Sequence, residues 1–308
     1  MSGKRIFAAV LIGIAVLSII LLTVISGREG KHLSALERVV IIYLQGPIEE
    51  AGGNWDFSGA ITPRRVARQL ERAAKDNSIK AVVLRINSPG GAVAASQQIA
   101  ALVREFEKPV VVSMGDMAAS GGYYISAPAD GIVAHPGTMT GSIGVIFTVV
   151  NMDGLYEKLG VEIETIKSGR HKDMFARKLT DEERRLLQEI SDGAYDQFIT
   201  EVAEGRNLEK DYVRKLATGQ LYLGTQALEL GLVDRLGGIE EAIDLAAEIA
   251  GLENPVRYEF PPPSFFEQLT SFGAYIPVLL EKKFLPGELL LLEKARQYLP
   301  QLRYQVTP

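Results

Sequence analysis

Apolar positions along the chain switch between two spacings, a dense run of five or six and a three-to-four-residue periodicity, and the switches fall at glycine and proline. Val39 to Leu44 is a compact, β-branched run closed by Gln45-Gly46-Pro47, which predicts a buried strand and a turn. Gly52 to Gly59 is turn-rich. Thr62 followed by Pro63 opens a predicted helix to about Asp76, with Val66, Leu70, Ala73 and Ala74 at helical spacing. A second strand, Ile79 to Ile86, ends in Asn87-Ser88-Pro89-Gly90-Gly91, and a helix over about 94–107 carries Ile99, Leu102, Val103 and Phe106. A third strand, Pro109 to Met114, leads through Gly115-Asp116 into Met117 to Ser126, and Gly131 to Ala134 reads as a fourth. Strands alternating with helices imply mostly parallel pairing through right-handed crossovers, with the loops at the strand carboxyl ends gathered on one edge.

Beyond this unit, Gly141-Ser142-Ile143-Gly144-Val145 leads into an apolar run to Val150 and a short helix at Leu155 to Leu159. Val161 to Ile166 alternates with Glu162 and Glu164, which predicts a strand with one exposed face. Thr180-Asp181-Glu182-Glu183 is a capping box opening a long helix to about Ala203. Further helices are predicted over Leu208 to Ala217, over Thr225 to Leu230 with Gly231 as the stop, and from Ile239 to about Ile249. Pro255 and Pro261-Pro262-Pro263 then break the pattern. The segment from Pro286 to Leu299 resembles a short amphipathic helix, either a packing arm or one lying on a membrane surface, and is too short and too charged to span a bilayer.

The N-terminus has a third kind of pattern. Lys4 and Arg5 precede an uncharged run of 20 residues, Ile6 to Ile25, and Arg28, Glu29 and Lys31 follow. A helix of that length matches the roughly 30 Å hydrocarbon core. It exceeds the apolar region of a cleaved signal, and Val24-Ile25-Ser26 is a poor cleavage site. The expectation is a retained anchor with a short cytoplasmic stub and the bulk of the protein outside the cytoplasm. Three regions follow: 1–38 as stub, anchor (about 6–25) and linker, 39–252 as the folded domain, and 253–308 as a tail.

Composition narrows the chemistry. A 47% apolar, 23% charged sequence of 308 residues has a real core, and a net charge of −5 without a basic cluster gives no reason to expect nucleic acid. The absence of cysteine removes disulfides and thiolate nucleophiles, and three histidines (His32, His135, His171) argue against a His-rich metal site. What remains is Ser120, with two small residues before it and two glycines after it, in a tight strand-to-helix turn. Gly91, from the neighbouring Gly-rich turn, could offer its N–H beside that of Gly121 as a two-donor pocket for a developing oxyanion. A nucleophilic serine needs a base. His32 lies in the linker and His135 beside Pro136. Lys167, His171, Lys172 and Lys178 remain as alternatives, a lysine serving if burial lowers its pKa, with the Ser142 hydroxyl able to hold the neutral amine.

The motifs Asn87-Ser88-Pro89-Gly90-Gly91, Met117 to Ser126, Gly141-Ser142-Ile143-Gly144 and Lys167 to Asp173, in that order, resemble those of the signal peptide peptidase A family of serine proteases, in its short single-repeat form. The resemblance covers about residues 39–250. It implies an α/β fold similar to the ClpP and crotonase proteins, with repeated ββα units, and a Ser-Lys dyad that hydrolyses remnant signal peptides in the membrane. On this resemblance the nucleophile falls on Ser120 and the general base on Lys172, 52 residues later. The lysine-orienting serine falls on Ser142 and the oxyanion donors on the N–H groups of Gly91 and Gly121. His171 becomes a bystander and Asp173 structural. No metal or cofactor is implied, the partners are peptide substrates and the membrane, and several copies assemble, with serine and lysine able to come from neighbouring protomers. Two other classes carry a related fold: an acyl-CoA hydratase or isomerase, which needs neither dyad nor anchor, and a non-catalytic membrane scaffold.

Overall fold

The computed structural model of the chain describes residues 37–50, 59–261 and 302–305. Strands β1 (Arg38–Gln45), β2 (Ile79–Ser88), β4 (Val110–Ala119) and β5 (Gly131–Ala134) lie side by side in parallel. The short strands β9 (Arg235–Leu236) and β10 (Val256–Glu259) extend this sheet at its two ends, in the order β10-β1-β2-β4-β5-β9. Beside the carboxyl end of β4, β6 (Met139–Gly141) pairs parallel to it and antiparallel to β8 (Leu221–Leu223).

The dense apolar runs are dense because both faces of the sheet are covered, as parallel strands require. Along β1, Val40, Ile42 and Leu44 share one core cluster with Val66 and Leu70 of α1 (Pro63–Lys75) and Ile99 and Val103 of α2 (Val93–Arg104). The alternate residues Val39 and Ile41 turn to the other face, where Ala242, Ile243, Leu245 and Ala246 of α8 (Ile239–Ala250) pack. Helix starts follow the predicted chemistry: Thr62 Oγ accepts the Arg65 N–H ahead of Pro63, and Thr180 and Glu183 form a reciprocal box at the start of α5 (Asp181–Gly205). The shorter predicted helices form as α4 (Asp153–Leu159), α6 (Lys210–Leu216) and α7 (Gly224–Glu229).

Three expectations change. Strand β4 does not stop at Met114 but runs through Gly115 and Asp116 to Ala119. Gly115 permits this, since a Cβ there would lie 3.0 Å from the Cβ of Asn87, whose side-chain oxygen accepts the Met117 N–H. Val161 to Ile166 forms no strand: all six residues are exposed, Ile166 at 94%, and none pairs with another strand among the described residues. Alternation alone does not make a strand when no partner offers its hydrogen bonds. Past residue 252, where the prolines predict a break, β10 still pairs with β1, Arg38 opposite Val256 and Ile41 opposite Glu259.

A second, small sheet has the order β3-β11-β7, formed by β3 (Gly90–Ala92), β11 (Leu302–Gln305) and β7 (Ile146–Phe147). The Ile6 to Ile25 run and the helix expected over Pro286 to Leu299 lie outside the described residues. No helix among the described residues is long and apolar enough to cross a membrane.

Candidate active site

Ser120 sits where β4 hands over to the six-residue helix α3 (Gly121–Ser126), and its backbone is at φ 54°, ψ −120°. A non-glycine residue at that angle is strained and persists only where its surroundings over-determine it. They do so from both sides. The Ser120 N–H donates to Gly141 O at 2.8 Å, and its own C=O accepts the Tyr124 N–H at 2.9 Å. The residue is 1% exposed. A sharp strand-to-helix turn of this kind projects a serine hydroxyl at the end of a sheet.

The helix behind Ser120 is entirely buried. The Tyr123 hydroxyl donates to Leu232 O at 2.9 Å, and the Tyr124 ring lies 4.9 Å from that of Phe198 on α5. Burial pushes the Tyr124 hydroxyl up to about 12 and the Tyr123 hydroxyl higher, so both are neutral structural groups at physiological pH. Gly122 is needed for the close approach to β2, since a Cβ there would come within 2.9 Å of Ser88 O.

Gly91 arrives from β3. The Ile48 N–H donates to Gly90 O and the Ala92 N–H to Ile48 O, both at 2.8 Å, which clamps β3 along one edge. A Cβ on Gly91 would lie 1.9 Å from Ile48 O, so only glycine fits. A Cβ built on Gly121 would lie 3.1 Å from the Gly91 nitrogen. The two residues expected to donate to an oxyanion are therefore adjacent, at the serine. Ser142 joins them from β6: it follows Gly141, whose carbonyl holds the Ser120 N–H, and it too has positive φ, 49°, with its N–H donating to Gln220 O. The fold thus assembles Ser120, Gly121, Gly91 and Ser142 from three separate turns.

Lys172 is not among them. Its side chain is exposed, and no hydrogen bond joins it to Ser120 among the described residues. Other candidate bases are engaged. Lys167 is paired with Asp173, and His171 Nδ1 lies 3.2 Å from Glu183 Oε1. Arg177 knits the segment to α5, donating to both oxygens of Asp173 and both of Glu183. Arg177 first and Lys167 second hold the Asp173 carboxyl down to about 2, and Arg177 with the Thr180 N–H holds Glu183 lower still. Asp173 anchors the loop through these ion pairs, and Lys172 is left with no side-chain ion pair among the described residues. A cavity of about 800 Å³ opens between β7, residues 177–179 and α5; Ser120, Ser142, Gly91, Gly121 and Lys172 do not line it.

The sequence matches the profile of peptidase family S49 over residues 103–253 and that of Clp protease over residues 29–139. It is 43% identical over 204 residues to a predicted protease of Synechocystis sp., covering 64% of this chain and 74% of that one. A predicted protease of Methanocaldococcus jannaschii is 38% identical over 261 residues, covering 82% of this chain and 83% of the relative. The chain belongs to peptidase family S49. A predicted signal peptide peptidase SppA of Enterococcus faecium is 42% identical over 214 residues; the match takes in 68% of this chain and 62% of that relative's length. The S49 chain is a serine peptidase with an α/β, ClpP-like, mostly parallel sheet, which sets aside the hydratase and scaffold alternatives. Among solved structures, a mutant of the 1510-N membrane-bound stomatin-specific protease aligns at a TM-score of 0.49 and 15% identity, covering 74% of this chain and 99% of that one.

One element near the site is not among those the sequence predicts: β11, in a tail where only a helix is expected. Its signal is the alternation Leu302-Arg303-Tyr304-Gln305-Val306-Thr307, a period-2 pattern just past Pro300.

Proposed function

We propose that this chain is a membrane-anchored endopeptidase that uses Ser120 as nucleophile and Lys172 as general base to cut short apolar peptides, remnant signal peptides among them. The observation that carries the reading is the turn at Ser120: a buried serine at φ 54° with Gly121 behind it and the Gly91 nitrogen alongside. Ser120 Oγ adds to the scissile carbonyl, the neutral Lys172 amine takes its proton, and the Gly91 and Gly121 N–H groups hold the oxyanion. The C–N bond then breaks with the proton passing to the leaving amine, and water releases the acyl group. Ser142 orients the amine.

Lys172 reaches a serine on a neighbouring copy in this reading. Its exposure, and the exposed apolar residues Val161, Ile163 and Ile166 preceding it, support an arm that packs on another protomer. The anchor rests on the apolar run Ile6 to Ile25, and the catalytic portion is extracytoplasmic.

Mixing tests the dyad. Ser120→Ala and Lys172→Ala are each expected to abolish cleavage of an unstructured protein, and an equimolar mixture, co-refolded or co-expressed, to recover part of it. Activity persisting in Lys172→Ala, with loss in His171→Ala, would move the base to histidine. Because only the neutral amine accepts a proton, the rate rises with pH, and a flat profile from about pH 6 to 9 would count against a lysine base.

A further inference from the structure

Helix α1 carries a charge pattern that a helix left to itself avoids. It holds five cations, Arg64, Arg65, Arg68, Arg72 and Lys75, against the single acid Glu71, in a chain whose net charge is −5. Val66, Leu70 and Ala73 face the core, and Arg65, Arg68, Arg72 and Lys75 follow one another at helical spacing along the opposite, exposed face. Like charges at that spacing repel. The first turn has no acid, although the positive end of the helix dipole favours one. Helices α5 and α8 meet that preference, the first with Asp181, Glu182 and Glu183, the second with Glu240 and Glu241. Among the described residues no ion pair engages Arg65 or Arg68, and Lys75 has only the exposed Glu71, at 3.9 Å. Nothing in the described fold offsets the repulsion, so the complement of this face lies outside it.

The place of the stripe in the fold points to the partner. The chain enters the domain at the carboxyl end of α1: the Arg38 N–H donates to Ser78 O at 2.8 Å, and the Arg38 guanidinium lies 4.0 Å from Asp76, the C-cap of that helix. It leaves β10 against the same helix, where the Arg72 guanidinium stands 4.3 Å from the centroid of the Phe260 ring. Residues 26–37, between the Ile6 to Ile25 run and Arg38, reach at most about 45 Å. Helix α1 itself is only about 20 Å long. The stripe is therefore held close to the surface in which the anchor is set.

We propose that α1 is a second, electrostatic contact with the membrane, its Arg65, Arg68, Arg72 and Lys75 face docking on anionic lipid headgroups. The proposal rests on the anchored reading for the nearness of the bilayer, and adds which face of the domain meets it. Guanidinium groups suit the partner because their N–H forks match two phosphate oxygens at once, and every cation brought to an anionic surface adds to the attraction. The anchor limits the distance of the domain from the bilayer; the stripe sets its orientation.

The test uses the full chain. It has no cysteine, so Ala74→Cys, exposed on α1, is a unique site for a fluorescein donor. The labelled chain is reconstituted into vesicles of phosphatidylcholine, alone or with phosphatidylglycerol, each carrying rhodamine-labelled headgroups as acceptor. Energy transfer is expected to be several-fold greater in the anionic vesicles. It should fall to the neutral-vesicle level in about 1 M salt, where the screening length is about 3 Å, and likewise in the triple variant Arg65→Gln, Arg68→Gln, Lys75→Gln, which spares the Arg72 contact with Phe260. Removing like charges is expected to leave the melting temperature unchanged or higher, and the salt series on the unaltered triad reads the same contact without a variant. Equal transfer in the two kinds of vesicle would overturn the contact, as would a difference that persists through both salt and substitution. The anchor is judged separately: a chain that stays with neutral vesicles through the salt wash keeps that reading even where α1 shows no preference for anionic lipid, and one that washes off loses it.

Discussion

At the scale of single residues, the site depends on where side chains are missing. Gly91 has Ile48 O where its Cβ would be, at 1.9 Å, and that atom is backbone, in a residue fixed by two hydrogen bonds to β3. Gly91→Ala must push β3 off Ile48 and swing the Gly91 N–H out of line. Removing one oxyanion donor typically costs about 10²- to 10³-fold in turnover, and a loss of that size in kcat, with the circular dichroism spectrum retained, is the expected outcome. Gly121 differs, because the nearest atom to its absent Cβ is the Ser96 hydroxyl, 2.6 Å away, which belongs to a side chain. Gly121→Ala is expected to be partly rescued by Ser96→Ala, whereas no single substitution rescues Gly91→Ala. Kinetics of the double variants check this.

At the scale of elements, the segment carrying Lys172 is tied to α5 most extensively by the Arg177 guanidinium, beside the Arg170–Glu182 and His171–Glu183 contacts. Arg177→Ala removes the bridge between Asp173 and Glu183, leaving Asp173 to Lys167 and Glu183 to Thr180 and His171, and amide exchange over residues 170–178 is expected to accelerate while that of β1, β2 and β4 is unchanged. The same tie has an acid limit. The Asp173 carboxyl is held at about 2 by Arg177 and Lys167, below the ordinary value of about 3.9. A depressed carboxyl contributes its stabilisation in full above the unfolded value and loses it as pH falls toward the folded one. Protection of this segment should therefore hold down to about pH 4 and fade toward pH 2. Elements of this kind also mark what sequence could tell. The capping box at Thr180, the Thr62-Pro63 start and the runs of β1, β2 and β5 were legible because caps and two-sided burial are local signals. The unpaired Val161 to Ile166 segment and the short strands β6 to β8 were not, because a strand is defined by its partner, and the partner is set by the tertiary fold. The serine turn was legible as a motif; its positive φ was not, since serine carries no mark of it.

Across the whole molecule, the nucleophile is supported from below by the core. Phe198 is fully buried and its ring meets Tyr124 one turn after Ser120. Phe198→Ala is expected to cost about 3–5 kcal/mol in unfolding free energy, and, because the vacated space lies under α3, to lower kcat at temperatures well below the new melting point. Denaturant unfolding and a rate measured at about 25 °C separate the two effects. The same arrangement explains why both halves of the chain are needed for one site: the serine and its two donors are complete by residue 121, yet the surface they rest on arrives with α5.

Strand β10 has a consequence for the behaviour of the chain in solution. It covers Arg38 to Ile41 on the outer side of β1, whose eight residues are otherwise bare on that side among the described residues. Cut away at residue 252, the protein would keep its serine turn but bare a long, β-branched ribbon of unsatisfied amides, the template on which like chains stack. Four residues that touch no catalytic group thus cover this edge of the sheet, and a chain cut at residue 252 is expected to scatter light on standing while the version ending at Pro261 stays clear.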